Sequence, residues 1–293
     1  MWCGTLLCWL VVSVTPTVGN ADDVPESPTR AAPLSDAQKE HFLLEGRIVR
    51  NRSAPGGVTL SRRVTLSLDD FEHDAQIQTI NVAKQVFQLR SGPEFDFRDS
   101  YKNNIAAYRL DRLLGLGMVP VTVLRHYETK PASFTWWVDD VLMDVEEQSK
   151  KKVPPPDPER WNCQIYAMRT FDQLIYNTDR NAGNLLIDKD WWVWMIDHTR
   201  AFKVFKDLEN KKGLGLRCGR RFLAALKRLD TPTLESSMED VLTSGQIKGL
   251  LGRRDKIVAH YEARIKKQGE EEVLCDLPSP GTAAEPPGGD PAP

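Results

Sequence analysis

The segment Asn177–Phe202, NTDRNAGNLLIDKDWWVWMIDHTRAF, decides how the rest of the chain is read. Two apolar runs, NLLI and WWVWMI, are joined by Asp-Lys-Asp at 188–190. Both runs are strand-like, and the polar residues between them favour a turn. Strands joined by a short turn are antiparallel, so the start of the first lies beside the end of the second. Asn184 stands at that start and Asp197 at that end. Asp179 lies five residues before Asn184, in the loop leaving a preceding helix. The hairpin therefore gathers two carboxylates and an amide at one mouth, from positions up to 18 residues apart.

Such a set suits Mg²⁺, a hard cation that takes a few carboxylate or amide oxygens and leaves the rest for water and phosphate. In phosphoryl transfer the metal offsets phosphate charge while a separate carboxylate orients the attacking hydroxyl. Asn184 and Asp197 fit the metal role, and Asp179 the orienting role. Arg180 has a carboxylate or a phosphate oxygen as its natural partner. Taken singly, each Asp or Asn has a plainer reading, since both bond the local backbone at strand ends and turns. The combination Asp-Arg-x-x-x-Asn, hairpin, Ile-Asp is what points to chemistry.

Composition sets the frame. The 293 residues are 41% hydrophobic and 27% charged, ordinary for a globular protein. Lys plus Arg number 39 against 41 Asp plus Glu, which argues against a nucleic-acid binder driven by bulk positive charge. Residues 1–21 read as a signal peptide cleaved near Gly19–Ala21, although no charged n-region precedes the apolar run. That run is too short for a stable membrane span. The chain is expected to be exported, periplasmic or extracellular, if the leader is cleaved, and otherwise membrane-anchored or cytoplasmic. Past the leader, Cys163, Cys218 and Cys275 fit no zinc spacing and allow at most one disulfide within the chain.

Polar, Pro-rich residues 22–40 read as a linker, and residues 271–293, Pro/Gly/Ala-rich from Ser279, as a disordered tail. Between them, 41–138 read as a strand-rich half and 139–270 as a mostly helical half. EGRIVRN, GGVTLSRRVTLSL and DAQIQTINV are strands, with SAPGG (53–57) a tight turn. DSYKNNIAAYRLDRLLGLG is a helix capped by Ser100, with Ala106, Leu110, Leu113 and Leu114 as its apolar stripe and Gly115 or Gly117 as its end. VPVTVLRHY and SFTWWV are two further strands. DPERWNCQIYAMRTFDQLIY starts a helix with Asp157 as cap and Pro158 in the first turn. LESSMEDVLTS and RRDKIVAHYEARIKKQ are the last helices.

At this point a family likeness emerges. DRNAGN (179–184) resembles the Asp-Arg-His-x-x-Asn catalytic loop of phosphatidylinositol 3/4-kinase-like proteins, including bacterial members. WMIDHTRAF (194–202) resembles their Ile-Asp-x-Gly metal-binding segment, and AAYRLDRLLGLGMVPVTV (106–123) the helix and strand of their N-lobe. The spacing from Asp179 to Asn184 to Asp197 is also similar to that of protein kinases. The likeness spans roughly 46–267. It implies a two-lobed protein-kinase-like fold of the α+β class, with an antiparallel N-lobe sheet and one helix, and a mostly helical C-lobe holding a catalytic hairpin. It implies ATP in the cleft, Asp179 as catalytic aspartate with Arg180 and Asn181 in the same loop, and Asn184 and Asp197 as metal ligands. Gly56 and Gly57 would form the phosphate-covering turn, and the adenine would lie near Val138–Met143.

The departures are concentrated in the N-lobe. Asn181 replaces the loop His, and Thr199 the Gly of the metal segment. Kinases hold phosphates with a strand Lys paired to a helix Glu. Here Asn103 and Asn104 stand where Glu is expected, and Gln76 and Gln78 near the place of Lys. These glutamines are candidate cofactor contacts, weaker donors than an ammonium. Lys84 is a further candidate, and Lys102 a nearby cation. The Trp-rich stretches read as packing or as stacking on a base or sugar ring. Asp139, Asp140 and Asp144 read as a helix start or a second metal site. The basic segment KKGLGLRCGRR (211–221) reads as a solvated loop or as a surface for an acidic substrate.

The expected activity is Mg²⁺-dependent phosphotransfer from ATP to an acceptor hydroxyl, on a protein rather than a lipid, with a small-molecule acceptor also open. Two other readings remain. One is an inactive pseudokinase serving as a binding module, which the missing Lys/Glu pair favours. The other is a nucleotidyl (AMP) transferase on the same fold.

Overall fold

Ser35 opens the described fold with a capping box, its hydroxyl accepting from Gln38 N while the Gln38 side chain accepts from Ser35 N at 2.9 Å. The computed structural model describes Met1 and residues 34–53, 61–90 and 92–278. The expected leader, the expected Gly56–Gly57 turn and the residues beyond 278 lie outside the described residues. Helix α1, Asp36–Glu45, buries Phe42 and Leu43, so the segment read as linker up to residue 40 already carries a helix. Arg125 fixes the end of α1 by donating to the carbonyls of Leu43 and Gly46.

Strands β1 (Arg47–Ser53), β2 (Ser61–Leu68) and β3 (Phe71–Gln78) follow, then a hairpin of β4 (Asn81–Leu89) and β5 (Gly92–Ser100). After α2 (Tyr101–Leu114) come β6 (Thr122–Tyr127) and β7 (Lys130–Trp136). The main sheet is antiparallel in the order β1-β2-β3-β7-β6, and β4-β5 stands apart as its own two-stranded sheet. Period-two alternation divides β3. Ala75 and Ile77 are buried on one face, while Asp74, Gln76 and Gln78 share the other. The run DAQIQTINV, expected as one strand, breaks at Thr79–Ile80, where the Ile80 carbonyl accepts from Tyr101 N at 2.7 Å. The β4-β5 hairpin has no counterpart in the expected strands.

Ser100 caps α2 as expected, and Gly115 ends it in the left-handed region at φ 67°. Asp111, wholly buried, then accepts from the backbone N–H groups of Gly117, Met118 and Val119 and pairs with Arg112. Burial pushes its carboxyl up to about 6, against the pull of Arg112 and the N–H donors. The turn it holds meets the second half of the chain, where Met195 N donates to Met118 O at 2.7 Å and Trp192 Nε1 to Gly117 O at 3.1 Å. Two helices thus serve the strand-rich half, α1 in addition to the expected α2.

The second half begins with β8 (Val141–Asp144), α3 (Val145–Lys151) and α4 (Pro158–Ile175). Asp144 caps α3, as the helix-start reading requires, and Asp157 caps α4. Strands β9 (Leu185–Asp188) and β10 (Val193–Met195) form the hairpin, with β8 pairing on the far side of β9. Then come β11 (Cys218–Gly219), α5 (Arg220–Arg228), α6 (Thr231–Met238), α7 (Ser244–Gln268), α8 (Glu270–Val273) and β12 (Leu274–Cys275). Helix α7 starts earlier than its apolar pattern suggests, because Gly249 and Gly252 face a passing chain. A Cβ on them would lie 2.7 Å from Val204 O and 2.8 Å from Lys206 Cβ respectively.

Residues 271–278, expected as part of a disordered tail, are ordered. Cys163 on α4 and Cys275 on β12 form a disulfide, β12 pairs in parallel with β11, and 271–278 belong to the fold. The basic segment explains why. Arg217 donates to the carbonyls of Glu271 and Leu274, Arg220 pairs with Glu270, and Arg221 donates to Leu277 O. This half of the expected substrate-facing loop is spent on the chain's own C-terminal segment.

Candidate active site

The site is assembled from the end of α4 outward. Tyr176 takes a left-handed conformation, φ 54°, and turns the chain out of the helix. Asn177 is buried, donates to Asp172 Oδ1 at 3.0 Å and accepts from Asp179 N at 3.1 Å. Arg180 forks onto the same Asp172, with Nε–Oδ2 2.9 Å and Nη2–Oδ1 3.1 Å. Its remaining Nη1 donates to Asn184 O at 3.1 Å and Ile196 O at 2.7 Å. Arg180 thus takes the carboxylate partner foreseen for it and braces the loop from behind. Asn181 turns inward on the backbone, accepting from Asn184 N at the start of a short 3₁₀ turn.

The hairpin registers as its sequence dictates, with Leu185 opposite Met195. Asp188 closes the turn, accepting from Asp190 N, Trp192 N and Trp194 Nε1 at 2.9 to 3.0 Å. At the open end, Ile196 N donates to Asn184 O at 3.1 Å, so Asn184 and Asp197 leave the two arms side by side. Asn184 Nδ2 lies 3.5 Å from the Asp179 carbonyl, which brings the third residue to the same mouth. Asp179 is exposed there, while Asn184 and Asp197 are half-buried.

Asp197 has φ 55°, a conformation that costs a non-glycine residue about 1–2 kcal/mol. Its surroundings hold it there. Thr199, in place of Gly, donates to Asp197 Oδ1 at 3.2 Å. Ser100 N and Asn103 Nδ2 both donate to Thr199 O, and Asn104 Oδ1 accepts from His198 N at 2.8 Å. Burial, with the charge of Arg180 adding to it, holds His198 well below the usual histidine range, so its ring is neutral.

The other expected contacts are distributed unevenly. Gln76 lines a small pocket together with Asn104, Thr122, Thr135, Asp197 and His198, and donates to Ser61 Oγ at 2.8 Å. Gln78 is buried, and its Oε1 accepts from Asn104 Nδ2. This neutral pair joins β3 to α2. Lys84 sits on the exposed side of β4 over the Phe87 ring. Val138 lies in the connection between β7 and β8, beside Trp137, whose ring is stacked under the Arg63 guanidinium at 4.1 Å. Gly56 and Gly57 lie outside the described residues.

One carboxylate escaped the sequence reading. Asp99, at the end of β5, has a buried Oδ1 with no hydrogen-bond partner. Burial raises its pKa, Thr199 and Arg200 pull it down, and the charges of Asp197 and Asp179 raise it further. No motif marks it, because the hairpin that delivers it is itself absent from the expected strands. Nearby cations are engaged: Arg180 with Asp172, Arg200 and Lys203 with Glu94, and Arg63 with Asp74. Among the described residues no group of three or more His, Cys, Asp or Glu forms a closed metal cage. One carboxylate and one amide, open to solvent, instead suit a cation that brings nucleotide phosphates as its other ligands.

An antiparallel sheet with a packed helix, a connection past Trp137 and a helical half bearing this hairpin define a two-lobed, protein-kinase-like α+β fold. No protein-family model and no curated protein matches the chain. Solved structures do. Hydra Fam20 with sugar superposes with a TM-score of 0.64 at 15% identity, over 82% of this chain and 92% of that one. The Golgi casein kinase with Mn/ADP bound gives 0.62 at 16% identity, over 84% of this chain and 80% of that one. Among the described residues no helix is long and apolar enough to cross a membrane.

Proposed function

We propose that the chain is a divalent-cation-dependent phosphotransferase that moves a phosphoryl group from ATP to an acceptor hydroxyl. The observation that carries this reading is the Ile196 N–Asn184 O bond, which sets Asn184 and Asp197 together at a mouth shared with Asp179. Asn184 and Asp197 would hold the cation, Mg²⁺ or Mn²⁺. When bound, that ion offsets charge on the phosphates. Asp179, exposed and fixed by Asn177 through its own N–H, orients the acceptor hydroxyl and takes its proton. Arg180 and Asn181 act on the loop's shape. The ADP and Mn of the casein kinase neighbour support the choice of nucleotide and metal. That neighbour supports a protein acceptor, and the sugar of the Fam20 structure a sugar hydroxyl as the small-molecule case. The Cys163–Cys275 disulfide supports export to an oxidising compartment. The likeness to phosphatidylinositol 3/4-kinase-like proteins rests on the short motifs at 179–184 and 194–202.

The test is thermal stabilisation of the full chain by ATP with Mg²⁺, Mn²⁺ or chelator, for wild type and Asp197→Ala. A metal-dependent shift lost in the variant supports the reading. Equal shifts in both proteins reject the assignment of Asp197. The neutral Gln78–Asn104 pair favours a second reading in which the cleft binds without transferring phosphate, or transfers AMP. The mass of an acceptor incubated with ATP separates the three: a phosphate adduct, an AMP adduct or none.

A further inference from the structure

Helix α2 reaches the Asp197 loop through two adjacent amides, and one of them also reaches β3. Asn104 Nδ2 donates to Gln78 Oε1, and Asn104 Oδ1 accepts from His198 N. All of this is buried: Gln78, Asn104 and His198 are each at most 5% exposed. A single planar amide offers a donor and an acceptor at once, which no carboxylate or hydrocarbon of that size does. We propose that Asn104 is a positioning residue for Asp197, an uncharged strap that ties β3 to the metal-binding loop where kinases use an ion pair. This rests on the proposed cation role of Asp197, but the strap itself is testable without any metal.

The energetics favour such a role. Asp197 sits in the left-handed region, and strain of that kind persists only where the surroundings over-determine it. His198 N is the amide directly after Asp197, so fixing it fixes the peptide plane on which the Asp197 carboxylate is mounted. Removing its acceptor leaves a buried donor unsatisfied, a far larger effect than loss of a solvent-facing bond. An uncharged strap also places no ammonium beside the cation and phosphates. The coupling of helix to loop therefore survives changes of pH and salt that would weaken an ion pair.

The experiment measures hydrogen–deuterium exchange of the 196–202 backbone amides in metal-free protein, and Mn²⁺ affinity by electron paramagnetic resonance. The proteins are wild type, Asn104→Ala, Asn104→Asp and Gln78→Leu. Asn104→Ala should raise exchange at His198 and weaken Mn²⁺ binding, each by about tenfold. Asn104→Asp keeps the acceptor for His198 N, and Gln78 Nε2, now without a partner, becomes its donor. That variant should exchange within about threefold of wild type, a rescue that a merely space-filling residue would not show. Gln78→Leu cuts only the β3 arm and should give a smaller rise, and it replaces Asn104→Ala should that protein fail to fold. Unchanged exchange at His198 in Asn104→Ala, or equal loosening in Asn104→Asp, overturns the strap. If wild type binds no Mn²⁺, the cation reading of Asp197 falls while the exchange data still decide on the strap.

Discussion

Arg180 Nη1 lies 2.7 Å from the carbonyl oxygen of Ile196, so the residue before Asp197 hangs on the loop that carries Asp179. The same guanidinium is forked onto Asp172, which is almost wholly buried. Removing Arg180 would take the charged partner from that carboxylate and the Nη1 donor from the Asn184 and Ile196 carbonyls, of which Asn184 O keeps its bond from Ile196 N. Asn177 would remain as a partner of Asp172, but as a neutral one. Arg180→Ala is expected to cost about 3–5 kcal/mol of unfolding free energy in urea titrations. Arg180→Lys should recover little, because an ammonium has no planar fork to span Asp172, Asn184 and Ile196. A lysine variant as stable as wild type would show that the bracing is not geometric.

The hairpin mouth was legible because its signal is local. Polar punctuation at 188–190 and apolar runs on both sides fix the pairing, and pairing alone brings Asn184 to Asp197. The α2 cap at Ser100 and the Gly115 terminus were legible for the same reason. The β4-β5 hairpin was not. Two of its large apolar side chains, Val86 and Phe95, are exposed, and its purpose is long-range: Glu94, Asp96 and Asp99 meet residues about a hundred positions later. Gly249 and Gly252 likewise serve a long-range purpose, the close approach of Val204 and Lys206. Asn103 and Asn104 read as missing acids until the loop they hold is seen opposite them.

Asp188 organises the far end of the hairpin with two backbone donors and one indole. Asp188→Ala should destabilise the fold by about 1–2 kcal/mol, the range for losing such a cap. Because the mouth is held separately by Ile196 N and Arg180, metal-dependent ATP binding should change by less than about threefold. Urea midpoints and calorimetric titration measure the two effects. A large loss of binding at unchanged stability would contradict the separation.

Glu94 binds the hairpin to the segment after Asp197 through Arg200 and Lys203, at 2.5 and 2.6 Å. Burial raises its pKa, but the two cations outweigh burial and leave it below the ordinary glutamate value. The folded protein therefore holds this proton less tightly than the unfolded chain. Its contribution is present above the unfolded pKa and is lost as pH falls through the depressed folded value. Glu94→Gln should thus be markedly less stable than wild type at pH 7, by about 3 kcal/mol or more with Lys203 left buried and unpaired. The gap should narrow as pH falls through the depressed folded value, where wild type also protonates. Paired melting curves from pH 3 to 8 test this, and a gap independent of pH would refute the charge-based account.

The disulfide spans 112 residues, from α4 to β12. A cross-link over a loop of that size stabilises by about 4–5 kcal/mol through the unfolded ensemble. Cys163→Ser with Cys275→Ser, or wild type in reductant, should lose an amount of that order in urea. The native fold should nevertheless persist, because Arg217, Arg220 and Arg221 still hold residues 270–278. Cys218, buried and pushed up to about 12, should stay inert to thiol reagents in the oxidised protein. Mass-resolved alkylation distinguishes Cys218 from Cys163 and Cys275.

The sharpest consequence of the neutral Gln78–Asn104 pair concerns charge. A nucleotide triphosphate brings several negative charges to a mouth that already holds Asp179 and Asp197, with Asp99 behind them. Arg180, Arg200, Lys203 and Arg63 are each engaged by a carboxylate of the fold, and the strand–helix junction supplies an amide in place of an ammonium. On the proposed function, divalent cations would then be the main counter-charge for the phosphates. At an effective dielectric constant near 20, one unit charge at 4 Å contributes about 4 kcal/mol, so the absence of the ammonium cannot be a minor matter. ATP should bind at least about a hundredfold more weakly in chelator than in saturating Mn²⁺. Adenosine, which carries no phosphate, should bind with little dependence on metal. Calorimetric titrations of both ligands, with and without the cation, read the difference directly. Metal-free ATP binding within tenfold of the metal-loaded value would mean that a cationic side chain reaches the phosphates after all.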